Sequence, residues 1–340
     1  MPEVVGEYID RLTTVEMRYG KGNLPRGVMH RLYDAARASA GRPLVLGMAQ
    51  SLVDSIGPKD TVVVLTGAGG PPALPNAEVD GILGAVAIAR ALVLTRRAEV
   101  VILTEERATR PMTAAIEASG MNVGRLNSRT SSQAIVHEVS PIGRDECIAH
   151  ASKILADLNP SAVIGIEKLS PNRSGIIHGV TGLPYDDVHT KADVYFEQAA
   201  AKGILTCGIG DGGNEVGFGR IQKDVARIMP AGERCECPCA GGTAASTATD
   251  ELVVAAISDW GGYALAAMLA FLSSELRALI APQELERMLV ATVNAGAFDG
   301  ATARPTLSDD GVPLDSQKAY VTMLQQMVEI ALSDLESPGH

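Results

Sequence analysis

Aromatic residues make up only 4% of this 340-residue chain, with a single Trp among them. A core of packed aromatic rings is therefore excluded. The interior must be built from Ala, Val, Leu and Ile, the material of helices packed on parallel strands. Clusters of basic residues are missing too. Lys and Arg number 29 against 40 Asp and Glu, for a formal net charge of −11. Nucleic-acid binding needs a basic face that displaces counterions, and anionic membranes repel an acidic surface, so neither partner is expected. There is no long apolar run either. The longest nearly uncharged stretch, Trp260 to Ser274, is too short and too rich in Gly and Ala to span a bilayer. The N-terminal residues MPEVVGEYIDRLTTVEM are acidic and amphipathic, without the apolar centre of a secretory signal. Five cysteines, an odd count, fit a reducing compartment. These absences predict a cytoplasmic protein acting on a small molecule.

What is present is aliphatic and glycine-rich, with 46% hydrophobic residues and 35 Gly. Residues 1–57 read as a helical arm, with Val28, Leu32, Ala35 and Ala36 forming one apolar stripe and Leu44, Met48, Leu52 and Val53 another. Runs such as Thr61 to Thr66, Val100 to Thr104, Ala162 to Ile166 and Ile204 to Ile209 are β-branched, short and bounded by turn residues, as buried parallel strands are. Weaker strands are predicted at 122–126 and 134–139. Helices are predicted near 82–94, 110–119, 145–158, 191–202 and 316–335. The stretch 250–280 reads as one apolar helical region bent at Trp260-Gly261-Gly262. Strand, loop and helix in repetition predict a three-layer α/β/α fold with a mostly parallel sheet and a helical N-terminal arm. With no internal repeat and no linker, one domain over 1–340 is expected, its α/β core over 58–340.

Ligands of open α/β sheets bind beyond the carboxyl ends of strands, so the chemistry is sought in those loops. Gly67-x-Gly69 is not a dinucleotide fingerprint, because three prolines and about ten extra residues separate it from the next helix, and no nucleotide cofactor is expected. Farther along that loop, Glu78, Asp80 and Gly81 precede a helix whose N-terminal amides suit a substrate carboxylate; a plain helix cap is the equal alternative. Glu167-Lys168 and Glu105-Glu106 follow strands. Each pair reads either as acid/base or clamping groups, or as a surface ion pair.

The densest signal is Gly208 to Gly219, with six glycines in twelve residues. Gly210, Gly212 and Gly213 let backbone wrap closely and point N–H groups inward as an anion nest. Asp211, Asn214 and Glu215 add oxygen ligands for an ammonium group, a divalent cation or a proton. Cys235-x-Cys237-Pro238-Cys239 is too tightly spaced for one tetrahedral centre and has no nearby histidine cluster, so it reads as structural thiols. His178, in the long loop after Glu167, is expected to face the site.

The run Gly-Ile-Gly-Asp-Gly-Gly-Asn-Glu at 208–215 resembles the signature of the D-glutamate cyclase C-terminal domain family. Supporting matches fall in order at Glu78 to Ala85, Gly165 to Glu167, Cys237 to Thr243, Thr249-Asp250, Ser258 to Gly261 and Gly296 to Gly300, so the resemblance spans about residues 20 to 330. It implies an enzyme that closes free D-glutamate to 5-oxo-D-proline with loss of water. At position 259, where the resemblance implies Asn, this chain carries Asp259, an added carboxylate.

Such a reaction needs the substrate carboxylate held, a proton taken from the ammonium and an oxyanion stabilised. Glu167, Asp211 and Glu215 are the expected proton-transfer groups. Glu78, Asp80, Gly81, Gly210, Gly212, Gly213, Asn214 and Asp259 are the expected substrate contacts. Asp80, Asp211 and Glu215 are the candidate ligands of a divalent cation, Mn²⁺ or Mg²⁺, since clustered carboxylates without a cation are costly. Two other readings stay open: a metal-assisted hydrolase or hydro-lyase on another small carboxylate or lactam, and a non-catalytic protein that binds an acidic metabolite. A homo-oligomer is expected.

Overall fold

The computed structural model describes residues 1–18, 24–126 and 133–336. Its centre is a sheet of seven strands, every neighbouring pair parallel. They are β1 (Thr61–Thr66), β2 (Glu99–Thr104), β3 (Asn122–Gly124), β4 (Ala134–Val139), β5 (Ala162–Ile166), β6 (Leu205–Gly210) and β7 (Glu251–Val254), in the order β3-β4-β2-β1-β5-β6-β7. Alternation along each strand decides which layer a side chain joins. Val62 and Val64 of β1 enter the larger core with Ile102, Ile164 and Ile209. Val63 and Leu65 enter the smaller core with Val101, Leu103 and Val163. Both faces are buried, which is why these strands are apolar without interruption.

The larger face carries α1 (Pro2–Thr13), α2 (Val28–Ala40) and α3 (Leu44–Ser55), so the N-terminal arm folds back onto the sheet. With them pack α4 (Ile82–Arg96), α5 (Thr109–Ala118), α8 (Gln222–Ile228), α9 (Ser258–Ser273), α10 (Pro282–Asn294) and α11 (Leu314–Glu336). The smaller face carries α6 (Arg144–Leu158) and α7 (Ala192–Ala201). A hairpin of β8 (Ser308–Asp309) and β9 (Val312–Pro313) precedes α11. Among the described residues no helix is long and apolar enough to cross a membrane.

The apolar stretch 250–280 departs from its sequence reading. Residues 251–254 are the edge strand β7, and the helix begins only at Ser258. Gly261 and Gly262 do not bend it; they lie in the early turns of α9, where Gly261 faces Ile209 and Val253 of the sheet and Gly262 lets α4 come against it. A Cβ on Gly262 would sit 2.6 Å from the Cα of Gly84. Helix α9 is buried on all sides, as its Ala, Leu and Met content requires.

Topology places the crevice. From β1 the chain turns to α4 on the larger face, and from β5, its neighbour in the sheet, it runs to α7 on the smaller face. The two connections part beyond the carboxyl ends of β1 and β5, where open α/β sheets bind their ligands.

Candidate functional site

Carboxylates from five segments converge at this switch point. Glu167 follows β5 directly, and Asp211 and Glu215 lie in the glycine loop after β6. Glu78 and Asp80 precede α4, Asp259 stands in the first turn of α9, and Asp299, Asp309 and Asp310 come from the segment around the β8–β9 hairpin. All but the partly buried Asp310 are buried. A cavity of about 90 Å³ opens among them, lined by Glu78, Glu167, Asp211, Asn214 and Asp310, with Leu74, Leu169, Val180 and Tyr185 as apolar wall. Arg18 is the one cationic side chain among its described lining residues. It pairs with Asp211, and with Asp310 at 3.0 Å. A larger cavity of about 660 Å³ lies at the opposite end of the sheet, beside Thr61, Glu99 and Ala134, and is lined by no such group of acids.

The glycine run does form an anion nest, but the chain supplies the anion. Glu215 Oε1 accepts the amides of Asp211 (3.1 Å) and Gly212 (2.8 Å). The glycines let backbone close over that side chain: a Cβ on Gly210 would lie 2.8 Å from the Glu215 carboxyl carbon, and Gly213 has a φ of +84°. Asn214 turns away from the carboxylates and donates to the His178 carbonyl oxygen at 2.9 Å. The other oxygen of Glu215, Oε2, is buried and has no hydrogen-bond partner.

Asp80 and Asp259 cap each other's helices. Asp80 accepts the amides of Ser258 (3.0 Å) and Asp259 (2.7 Å) at the start of α9. Asp259 Oδ1 accepts those of Gly81 (2.8 Å) and Gly84 (2.6 Å) at the start of α4. The amides that sequence reading offered to a substrate carboxylate are thus held by a protein carboxylate. Gly81, at φ +87°, has no room for a side chain: its Cβ would meet the Cβ of Glu167 at 2.6 Å.

So many buried acids disfavour one another's charge. Burial, then the charges of Asp211 and Glu215, hold Glu167 well above the usual carboxylate range. Burial raises Asp211 to about 7, with Arg18 opposing and Glu215 adding to the shift. Asp310 also reaches about 7 through burial, against Arg18, and Asp259 about 7 through burial, against its backbone amides. Glu78, Asp80 and Asp309 are pushed well up, by burial first and neighbouring carboxylates next.

Oxygen atoms of Glu167, Asp211 and Glu215 lie within 4.8 Å of one another, as do those of Asp80, Asp211 and Asp310. Asp211 belongs to both groups, so the three acids read from sequence as metal ligands divide between two overlapping sets. An all-oxygen donor set with an orphaned Glu215 oxygen fits a hard divalent cation.

Next to Glu167 the chemistry inverts. Lys168 is buried and donates to Glu105 Oε1 at 2.6 Å, and the amide of Thr190 donates to the same oxygen at 2.8 Å. Burial alone would raise Glu105, yet Lys168, then His189, bring it well below the carboxylate range. The pair is internal, not the surface pair that either dipeptide suggested. His178 faces away from the acids: its Nε2 lies 3.2 Å from Cys237 Sγ, beside Cys235 and Cys239. The reading of these cysteines as thiols without a histidine neighbour is therefore overturned. Sequence reasoning also missed Arg18, Asp299, Asp309 and Asp310. The signal available was Asp309-Asp310-Gly311, an acidic turn, and its meaning depends on contacts across the whole chain.

The family model described as D-glutamate cyclase-like, C-terminal, matches residues 24–327. The chain is also 27% identical over 165 residues to human D-glutamate cyclase, mitochondrial, covering 42% of this chain and 25% of that protein. It therefore matches about a quarter of that relative's length. Among solved structures, a UDP-GlcNAc 2-epimerase from Neisseria meningitidis bound to UDP-GlcNAc matches with a TM-score of 0.26 and 12% identity over 57% of this chain and 45% of that one.

Proposed function

The chain belongs to the D-glutamate cyclase-like, C-terminal family, and from that premise we propose that it is a lyase that closes a free acidic amino acid, D-glutamate, to 5-oxoproline with loss of water. The observation that carries this reading is the meeting of Glu78, Glu167, Asp211 and Arg18 around one small cavity at the switch point, with a Glu215 oxygen within 4.8 Å of Glu167 and Asp211 behind them. At about 90 Å³ the cavity is far below the roughly 300–1,000 Å³ of sites for larger organic ligands, and suits a small amino acid.

In the proposed reaction the substrate amine attacks its own γ-carboxyl carbon. A C–N bond forms and a C–O bond breaks. The ammonium gives up two protons, and the leaving oxygen takes two to become water, so a group that relays them ends unchanged. Asp211, at about 7, holds a proton part of the time at neutral pH, as a relay must. Glu167, held well above the usual carboxylate range by burial and by the charges of Asp211 and Glu215, is the proton donor to the leaving oxygen. Arg18 offers the substrate carboxylate a counterion, and Val180, Leu74 and Tyr185 limit water. A Mg²⁺ or Mn²⁺ ion held by Glu167, Asp211 and Glu215 supplies Lewis-acid polarisation of a carboxyl group when bound.

The test is incubation with D- and L-glutamate, each with and without Mg²⁺ or Mn²⁺, followed by mass spectrometry. 5-Oxoproline from one enantiomer is the expected result. No product under any of these conditions overturns the reading.

A further inference from the structure

A second polar cluster lies apart from the acids, where the loop after β5 meets the segment before β7. Cys237 and Cys239 are 59 and 61 residues from His178 in sequence, with Cys235 just before them, yet four side-chain atoms gather at one point. The Cys235–Cys237, Cys235–Cys239 and Cys237–Cys239 sulfur separations are 3.3, 3.4 and 3.3 Å. His178 Nε2 lies 3.2 Å from Cys237 Sγ and 3.7 Å from Cys239 Sγ. No two of the cysteines are joined in a disulfide. Neutral thiols gain little from such crowding.

We propose that Cys235, Cys237, Cys239 and His178 form one closed tetrahedral site for a soft divalent metal, zinc by ligand chemistry. With Zn–S near 2.3 Å and Zn–N near 2.0 Å, the edges of a Cys₃His tetrahedron are about 3.5–3.8 Å, and the observed separations are within about 0.5 Å of that. The alternation at 235, 237 and 239 brings three sulfurs to one side of a tight turn, and the fourth ligand comes from the distant loop.

The surroundings agree. His178 Nδ1 lies 3.0 Å from the Ile176 carbonyl oxygen, so Nδ1 carries the proton and the Nε2 lone pair is aimed at the sulfurs. Cys239 Sγ accepts from the Gly241 amide (3.4 Å) and the Asn172 side chain (3.5 Å), donors that suit a thiolate. An iron–sulfur cluster would spread its cysteines over several iron atoms, and these sulfurs are too close for that. Four protein ligands leave no open position, so the site is structural.

The site has a mechanical role. It staples the loop after β5 to the 235–239 turn. The next residues of that loop, Gly179, Val180 and Thr181, line the acidic cavity, and the His178 carbonyl oxygen is held by Asn214 of the glycine loop.

The experiment uses the full chain without a histidine tag, purified under reducing conditions and dialysed. Elemental analysis is expected to find one zinc per chain. The Co²⁺-exchanged protein is expected to show thiolate-to-cobalt charge transfer and tetrahedral d–d bands. Cys237→Ser and Cys239→Ser should lower zinc to well under half per chain. Cys147→Ser, whose thiol lies in the smaller core, and Asp211→Asn, in the acidic cavity, should keep it. The Co²⁺ spectrum of the unmutated chain decides even if a variant fails to fold. A metal-free chain whose mass is 2 Da lower, marking a disulfide, overturns the proposal. So does zinc retained by both cysteine variants or lost from Asp211→Asn.

Discussion

Glu167 and Lys168 are consecutive, yet each opens into a buried polar region of a different kind. On the Lys168 side, Glu105 meets the Lys168 ammonium, with His189, the Arg107 guanidinium and the Thr190 amide adding support, and it is held charged. On the Glu167 side, nine carboxylates share one arginine among the described residues, and most are pushed toward their neutral forms. Burial is similar in both, so desolvation does not separate them; the number of opposite charges does. The balanced region has the chemistry of a fastening. The unbalanced one stores unfavourable electrostatics that a cation, an ammonium group or protons relieve, and such storage is characteristic of functional sites.

Removing a charge should therefore act in opposite senses on the two sides. The largest effect is expected for Asp211→Asn, which removes the proposed relay: 5-oxoproline formation falls by about 10²–10⁴-fold. Its melting temperature at pH 8 in EDTA should stay level or rise. A large fall there would break the distinction between the regions. Next, Lys168→Met takes from buried Glu105 its nearest cation, leaving it only His189, Arg107 and the Thr190 amide, and should cost about 3 kcal/mol in chemical denaturation. A loss under 1 kcal/mol would make the two regions alike.

The pH response sharpens the contrast. Asp211, Asp259 and Asp310, raised to about 7, hold more protons in the folded chain than in the unfolded one between about pH 6.5 and 8, and Glu167 is shifted in the same direction. Stability must then fall as pH rises through that range. Scanning fluorimetry in EDTA should show this decline, and Mn²⁺ should reduce it. A flat profile would mean that the acids are already neutralised by other means. The histidines with lowered values oppose this trend only near and below their unfolded value of 6.5, at the lower edge of the range.

The smallest effect is expected at position 259. In Asp259→Asn the side-chain oxygen keeps both cap bonds and the new amide faces Asp309, so stability at pH 8 should change by no more than about 1 kcal/mol. Asp259→Ala loses the cap and should cost about 1–2 kcal/mol. Equal losses in the two variants would show that Asp259 acts through its charge and not as a cap.

The central strands were legible because burial on both faces leaves a run such as Val62-Val63-Val64-Leu65 with nothing polar in it. Strand β7 was hidden because Leu252-Val253-Val254-Ala255-Ala256 runs on into an equally apolar helix, with only Ser258 to mark the start. Glu167 and Asp211 stood out because they sit directly at strand ends, and Glu215 because it lies in the same glycine loop. Arg18 and Asp310 were not, since their meaning comes from contacts spanning 193 and 292 residues. The role of Asp259 was misplaced for a related reason: a capping acid and a ligand acid look the same until the amides they hold are seen. The cysteine cluster failed on spacing alone, because its fourth ligand is supplied by the fold.

The nest filled by Glu215 also bears on the search for inhibitors. A loop of this composition invites screening with phosphates, sulfates and other anions, and here such compounds compete with an anion already tethered in place. Selective compounds for this pocket should instead bring positive charge, or a chelating group that arrives together with a metal, and should take their affinity from the carboxylates of Glu78, Glu167 and Asp211 that line the cavity.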